Sequence, residues 1–135
     1  MMIQCDKWIL IVEDDEDIRR LLADLFTDEG YRIDKAADGA EALMKMDQRH
    51  YDVVLSDYHM PRIDGGTLLQ LSHILSPDCP VILTSCDPEF QELSGGGRLH
   101  EAYACLSKPF DLEHLLLTVH GAANRTRTST LQRTA

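Results

Sequence analysis

Short apolar runs alternate along this chain with stretches of helical period, and that alternation restricts the fold more than any other feature. Trp8-Ile9-Leu10-Ile11-Val12, Val53-Val54-Leu55-Ser56 and Val81-Ile82-Leu83-Thr84 are apolar almost without interruption. Strands of that kind are covered on both faces, which implies a parallel sheet between helices. Strands are expected near residues 7–12, 31–36, 52–56, 80–84 and 102–106. Tyr31-Arg32-Ile33-Asp34-Lys35-Ala36 alternates apolar with polar, which suits an edge. The order 2-1-3-4-5 puts the solidly apolar runs in the centre, so the expected fold is α/β: a doubly wound, five-stranded parallel sheet with helices on both faces.

The helical stretches carry their own start and stop signals. Ile18, Leu21, Leu22, Leu25 and Phe26 form a core-facing stripe in the first helix, and Gly30 supplies its C-terminal cap. Asp38 with Glu41 caps a second helix that turns Leu43 and Met44 inward. Asp64 caps a third with Leu68, Leu71 and Leu75, and Asp111 caps a last one with Leu112, Leu115, Leu116 and Val119. Asp87-Pro88 opens a short fourth helix that Gly95-Gly96-Gly97 ends after about two turns.

At 135 residues the chain has room for one domain, which at this size buries roughly 65–70% of its unfolded surface. The net charge of −10 is uneven, since residues 121–135 hold three arginines and no acid. A domain that acidic repels nucleic acid. The basic tail, rich in Thr, Arg and Ser, has little to bury and is expected to fray. Cys5, Cys79, Cys86 and Cys105 show no metal-ligand spacing and read as small buried residues in a reducing compartment. The first seven residues lack the charged start and apolar stretch of a secretory signal, and no run is long enough to span a membrane. A cytoplasmic protein is expected.

Chemistry-bearing residues sit at the ends of the strands. Glu13-Asp14-Asp15 closes the first run, Asp57 the third, Thr84 the fourth and Lys108 the fifth. Residues at the carboxyl ends of parallel strands converge on one crevice. Glu13, Asp14 and Asp57 brought together repel one another, an arrangement tolerable around a cation; all-oxygen ligands favour Mg2+, or Mn2+ in its place. Asp57 would be a nucleophile for a phosphoryl group, with a metal and Lys108 neutralising the transferring oxygens and Thr84 offering a hydroxyl. Asp15 is placed to cap the first helix.

Ile11-Val12-Glu13-Asp14-Asp15, Leu55-Ser56-Asp57-Tyr58-His59-Met60-Pro61-Arg62-Ile63-Asp64-Gly65, Leu83-Thr84-Ser85 and Lys108-Pro109-Phe110 together resemble a response-regulator receiver domain, the phosphoacceptor module of two-component signalling. The resemblance spans about residues 7–122, leaving 1–6 as an N-terminal extension and 123–135 as a flexible basic tail. It implies a flavodoxin-like fold in which Asp57 takes a phosphoryl group from a phosphohistidine. It further implies metal ligation by Asp14, Glu13, Asp57 and the backbone carbonyl of His59, phosphoryl binding by Thr84 and Lys108, and a cis Lys108–Pro109 peptide. His59 and Cys86, two residues beyond Asp57 and Thr84, fall at positions that tune acyl-phosphate lifetime in this family. Cys105 stands where an aromatic switch residue is usual, with Tyr103 two residues earlier on the same strand face. Signal read-out is therefore expected through residues 86–101.

The expected partners are a histidine kinase or histidine phosphotransfer protein and an output protein of unknown identity. The output protein would dock on the face made by the fourth helix, fifth strand and fifth helix. No nucleic acid or membrane is expected, and the domain should be a monomer or weak dimer. It would catalyse only its own phosphorylation and dephosphorylation. Two alternatives stand beside this: a phosphorylation-independent binding module, or an intermediate receiver in a relay. An aspartyl-phosphate phosphatase fits less well. Its nucleophile follows the first strand and is trailed by a second Asp two residues on, where this chain has His59.

Overall fold

The computed structural model describes residues 6–87 and 101–134, with side chains described through Arg125 at the carboxyl end. Its elements are β1 (Trp8–Val12), α1 (Glu16–Asp28), β2 (Arg32–Ala36), α2 (Gly39–Gln48), β3 (Val53–Asp57), α3 (Gly65–Leu75), β4 (Val81–Ser85), β5 (Ala104–Ser107) and α4 (Leu112–Thr134). The five strands form one parallel sheet in the order β2-β1-β3-β4-β5. The α/β fold and strand order are those the apolar runs imply. The short helix and the read-out segment expected within 86–101 lie, from residue 88 to 100, outside the described residues.

Strand alternation divides the core in two. Leu10, Val12, Val54 and Leu83 point to one face with Ala42 and Met46 of α2 and Leu68 and Leu69 of α3. Ile9, Ile11, Val53, Leu55 and Ile82 point to the other, against Leu22 and Phe26 of α1 and Leu115 and Val119 of α4. Each fully buried side chain of this size contributes about 1.5–3 kcal/mol. Lys7 closes the amino-terminal end of the sheet: its buried ammonium donates to the Ala123 carbonyl and to Asn124 Oδ1, both at 2.9 Å.

Several helix faces are rotated from their leucine stripes. Leu21, Met44, Leu75 and Leu112 are exposed, whereas Ala42 and Met46, Gly65 and Ser72, and Ala122 and Ala123 are buried. In α2, Met44 lies about 200° around the helix from Ala42, so both cannot face the sheet. Small residues allow the closest backbone approach and set the phase, and a stripe drawn through leucines overlooks them. The caps are in place: Asp38 Oδ1 accepts from Glu41 N–H at 2.8 Å, Asp64 Oδ1 from Thr67 N–H at 2.8 Å, and Gly30 follows α1 with φ of 97°.

Three further expectations are corrected. Cys86 is exposed, so the described cysteines are not uniformly core residues. Tyr103 packs with Ala104 and Leu106 on the α1/α4 side, while Cys105 packs on the α2/α3 side. Period two fails there because Tyr103 precedes β5 and leans on α4, its ring 5.4 Å from the Arg125 guanidinium. The expected break after residue 122 meets no structural boundary, since Ala122 and Ala123 are both buried within one continuous helix. No helix among the described residues is long and apolar enough to cross a membrane.

Candidate functional site

β1, β3, β4 and β5 deliver polar residues to the carboxyl edge of the sheet, two from β1 (Glu13 and Asp14) and one each from the others. Glu13 follows β1 directly; its N–H donates to the Ala36 carbonyl at 3.1 Å, and the residue is only 2% exposed. Arg19 Nη1 donates to the Glu13 carbonyl at 2.8 Å, fastening the loop to α1. Asp57 is the last residue of β3 and is 8% exposed. Carboxylate oxygens of Glu13, Asp14 and Asp57 lie within 4.8 Å of one another, with Asp14 open to solvent and the other two buried. Asp15 stands apart as the N-cap of α1, accepting from Asp17 N–H at 2.9 Å and Ile18 N–H at 3.1 Å.

Lys108 enters the cluster from the end of β5, where its N–H donates to the Ser85 carbonyl at 2.8 Å. The following peptide, Lys108–Pro109, is cis. Its ammonium donates to Glu13 Oε1 at 2.8 Å and lies 3.6 Å from Asp57 Oδ1. Burial pushes the Asp57 carboxyl above the ordinary carboxylate range, against the opposing pull of Lys108 and a hydrogen bond from the His59 N–H. Burial likewise raises Glu13. For Lys108 burial works downward, but the hydrogen bond to Glu13 and the Asp57 charge outweigh it, and the ammonium is held above its usual range. The crevice thus concentrates negative charge that one lysine only partly answers.

Thr84 is buried opposite Asp57 in the β3–β4 register, and its hydroxyl donates to the Ser56 carbonyl at 3.5 Å. Ser85, next in β4, is fully buried and accepts from the Asp87 N–H at 3.0 Å. His59 follows in the loop after β3; its ring meets Tyr58 edge to face at 5.0 Å, and its Nε2 lies 3.5 Å from Asp87 Oδ2. Cys86 is exposed, whereas Cys105 packs against the α2/α3 core. Glu13, Asp14, Asp57 and Lys108 are thus brought together, while Cys105 is not among them.

Two contributors escape a reading of strand ends. Gly65 opens α3 so close to the loop after β3 that a Cβ there would fall 2.7 Å from Tyr58 Cα and 3.0 Å from the Asp57 carbonyl. Its N–H donates to the Tyr58 carbonyl at 2.8 Å. Asp87 reaches His59 across two loops, a contact that no local pattern announces; only the turn-forming Asp87-Pro88 pair marked the position.

The sequence profile of the response regulator receiver domain family matches residues 9–120. Among curated relatives, the chain is 38% identical over 126 residues to the sensor histidine kinase RcsC of Escherichia coli, covering 92% of this chain and 13% of that protein. It is 34% identical over 119 residues to the response regulator MprA of a Mycobacterium species, covering 87% of this chain and 51% of that one. The chain therefore spans about an eighth of the first relative and half of the second. Among solved structures, the signal receiver domain of an HD domain-containing protein from Pseudomonas fluorescens superposes with a TM-score of 0.85 at 31% identity, covering 96% of each chain. TrrA of Thermotoga maritima, solved with magnesium and beryllofluoride, superposes with a TM-score of 0.79 at 31% identity, covering 86% of this chain and 98% of that one.

Proposed function

Because the chain belongs to the response regulator receiver domain family, we propose that Asp57 is its phosphoacceptor, taking a phosphoryl group from the phosphohistidine of a histidine kinase or histidine phosphotransfer protein. The observation that carries this reading is the meeting of three carboxylates and one lysine at a single point: Glu13, Asp14 and Asp57 oxygens within 4.8 Å, with Lys108 2.8 Å from one and 3.6 Å from another.

An all-oxygen donor set of that charge fits a hard divalent cation, Mg2+ or Mn2+ in its place, which Asp14, Glu13, Asp57 and the backbone carbonyl of His59 would hold. Such an ion supplies positive charge to the phosphoryl oxygens. Asp57 attacks phosphorus through a carboxylate oxygen as the bond to the donor's imidazole nitrogen breaks, and the electron pair leaves with the imidazole. Lys108 loosens from Glu13 to meet a phosphoryl oxygen, and Thr84 turns its hydroxyl from the Ser56 carbonyl toward another. Cys105, packed against the α2/α3 core, stands where an aromatic would otherwise follow that threonine. Cys86 and His59 border the same edge and bear on the lifetime of the acyl phosphate. The domain catalyses these steps on itself, and its output is a protein–protein contact in the cytoplasm.

The test is incubation with acetyl phosphate and magnesium, read by intact mass. Wild type gains one phosphoryl group; Asp57→Asn and magnesium-free wild type gain none. Phosphorylation of Asp57→Asn to the wild-type extent would refute the assignment. The 38% identity to a segment of a sensor histidine kinase favours a second reading, an intermediate receiver in a relay. Onward transfer from the phosphorylated domain to a histidine phosphotransfer protein separates that from a terminal switch.

A further inference from the structure

Glu13 and Asp14 share the short loop between β1 and α1, but the two acids are held by different means. Every polar group of Glu13 is engaged: its N–H by the Ala36 carbonyl, its Oε1 by Lys108, its Oε2 by the Asp15 N–H at 3.2 Å, and its carbonyl by Arg19 Nη1 at 2.8 Å. Asp14 is exposed, and its carboxylate accepts no hydrogen bond among the described residues. Its place beside Glu13 and Asp57 is therefore set by its backbone. The peptide joining Glu13 to Asp14 is a rigid plane that carries the Glu13 carbonyl at one end and Asp14 Cα at the other. Anchoring that carbonyl oxygen orients the plane, and with it the direction in which the Asp14 side chain leaves the chain.

Arg19 ends the first turn of α1, and helical side chains lean back toward the helix start, so it reaches the loop that precedes it. It follows Glu13-Asp14-Asp15-Glu16-Asp17-Ile18 in the chain, yet its guanidinium forms no ion pair among the described residues and donates to a neutral carbonyl instead. Arg20 next to it is an ordinary surface arginine, 3.6 Å from Glu16 with both side chains largely exposed. We propose that Arg19 is a positioning residue for the cation site: by holding the Glu13 carbonyl it preorganises Asp14 to meet a divalent cation. The inference rests on Glu13, Asp14 and Asp57 being that site. Charge and position make opposite demands here. A guanidinium close to carboxylates competes with an incoming cation, so deleting its charge alone would tighten metal binding. Deleting the anchor frees the peptide plane, and Asp14 must then be ordered at the moment of binding, which weakens it. The sign of the change tells the two apart.

The experiment titrates magnesium chloride, without phosphodonor, into wild type, Arg19→Met, Arg19→Lys and Arg20→Met by calorimetry, and follows urea unfolding of each in EDTA. The dissociation constant should rise about tenfold in Arg19→Met, the scale on which groups behind a metal's own ligands act. Arg19→Lys keeps the charge but offers a shorter stem and a single point donor, and should fall between wild type and Arg19→Met. Arg20→Met removes the same charge one position on and should bind no more weakly than wild type. Magnesium bound by Arg19→Met as tightly as by wild type, or more tightly, would overturn the proposal, as would equal weakening in Arg20→Met. A merely structural arginine would lower the urea midpoint in EDTA and leave the dissociation constant in place, which also refutes positioning. Should the methionine variant not fold, Arg19→Lys decides, with wild-type affinity there as the refuting result. Wild type that binds no magnesium would instead overturn the cation site itself, so the two failures are distinct.

Discussion

Lys108 is bonded to Glu13 more closely than to Asp57, at 2.8 Å against 3.6 Å. The lysine from the far edge of the sheet thereby serves as the resident cation of a carboxylate cluster built around β1 and β3. Its removal should leave two buried acids facing each other. We expect Lys108→Met to lose about 3 kcal/mol of stability in EDTA, the scale for breaking a buried pair, with magnesium restoring part of it. Urea midpoints with and without the ion measure this; equal midpoints for variant and wild type in EDTA would show that the lysine does not stabilise the acids.

Magnesium itself should stabilise the wild type through mass action, by about 2.7 kcal/mol at a hundred times its dissociation constant. Asp14→Asn should abolish that gain while changing little in EDTA, because Asp14 is exposed and holds no buried partner together. Thermal or urea unfolding across a magnesium titration reads both quantities.

The raised Asp57 carboxyl has a definite pH signature. A folded-state value above the unfolded one means that the native state binds the proton more tightly, so stability is greater at low pH and falls as pH rises from about 3.8 through the folded value. In EDTA, Asp57→Asn should therefore be more stable than wild type near neutrality, with the advantage vanishing at acid pH. A difference independent of pH would contradict the burial cost.

Gly65 is confined by backbone, with Tyr58 Cα at 2.7 Å from any added Cβ. Backbone cannot swing aside as a side-chain tip can. Gly65→Ala should cost about 1–3 kcal/mol, the usual range for overpacking, and should weaken magnesium binding because the displaced residues adjoin Asp57. Calorimetric magnesium titration distinguishes this from a loss of stability alone.

Arg62 sits at the centre of a three-residue turn, with φ of 70° and the Ile63 N–H donating to the Pro61 carbonyl at 2.8 Å. Such a turn strains a residue with a Cβ. It also delivers Ile63 onto Gly39, where a Cβ would meet Ile63 at 2.8 Å, locking the loop to the start of α2. Arg62→Gly should raise the unfolding free energy by about 0.5 kcal/mol, read as a higher urea midpoint, the relief of strain less the entropy cost of glycine.

The positions of Glu13, Asp14, Asp57, Thr84 and Lys108 were legible because each terminates an apolar run, and a parallel sheet aligns the ends of such runs. Strand order was legible because the alternating run around Ile33 belongs at an edge. Helix phase was not, since Gly65, Ala42 and Ala122 set it by permitting close approach, whereas Leu21, Met44 and Leu75 supplied the louder pattern. Tyr103 misled for a related reason: strand periodicity was extended one residue beyond β5, to a side chain that α4 claims. The His59–Asp87 contact depends on how two loops fold toward each other, which spacing does not encode.

The tie from Lys7 to Ala123 and Asn124 moves the physical limit of the domain outward on both sides of the span that family similarity outlines, residues 9–120. Anyone trimming the chain to that span would discard both acceptors and the ammonium that seeks them. A cut after residue 122 alone would leave a buried cation with neither of these oxygens to satisfy it, so an expression fragment of this receiver should begin no later than Lys7 and run past Asn124.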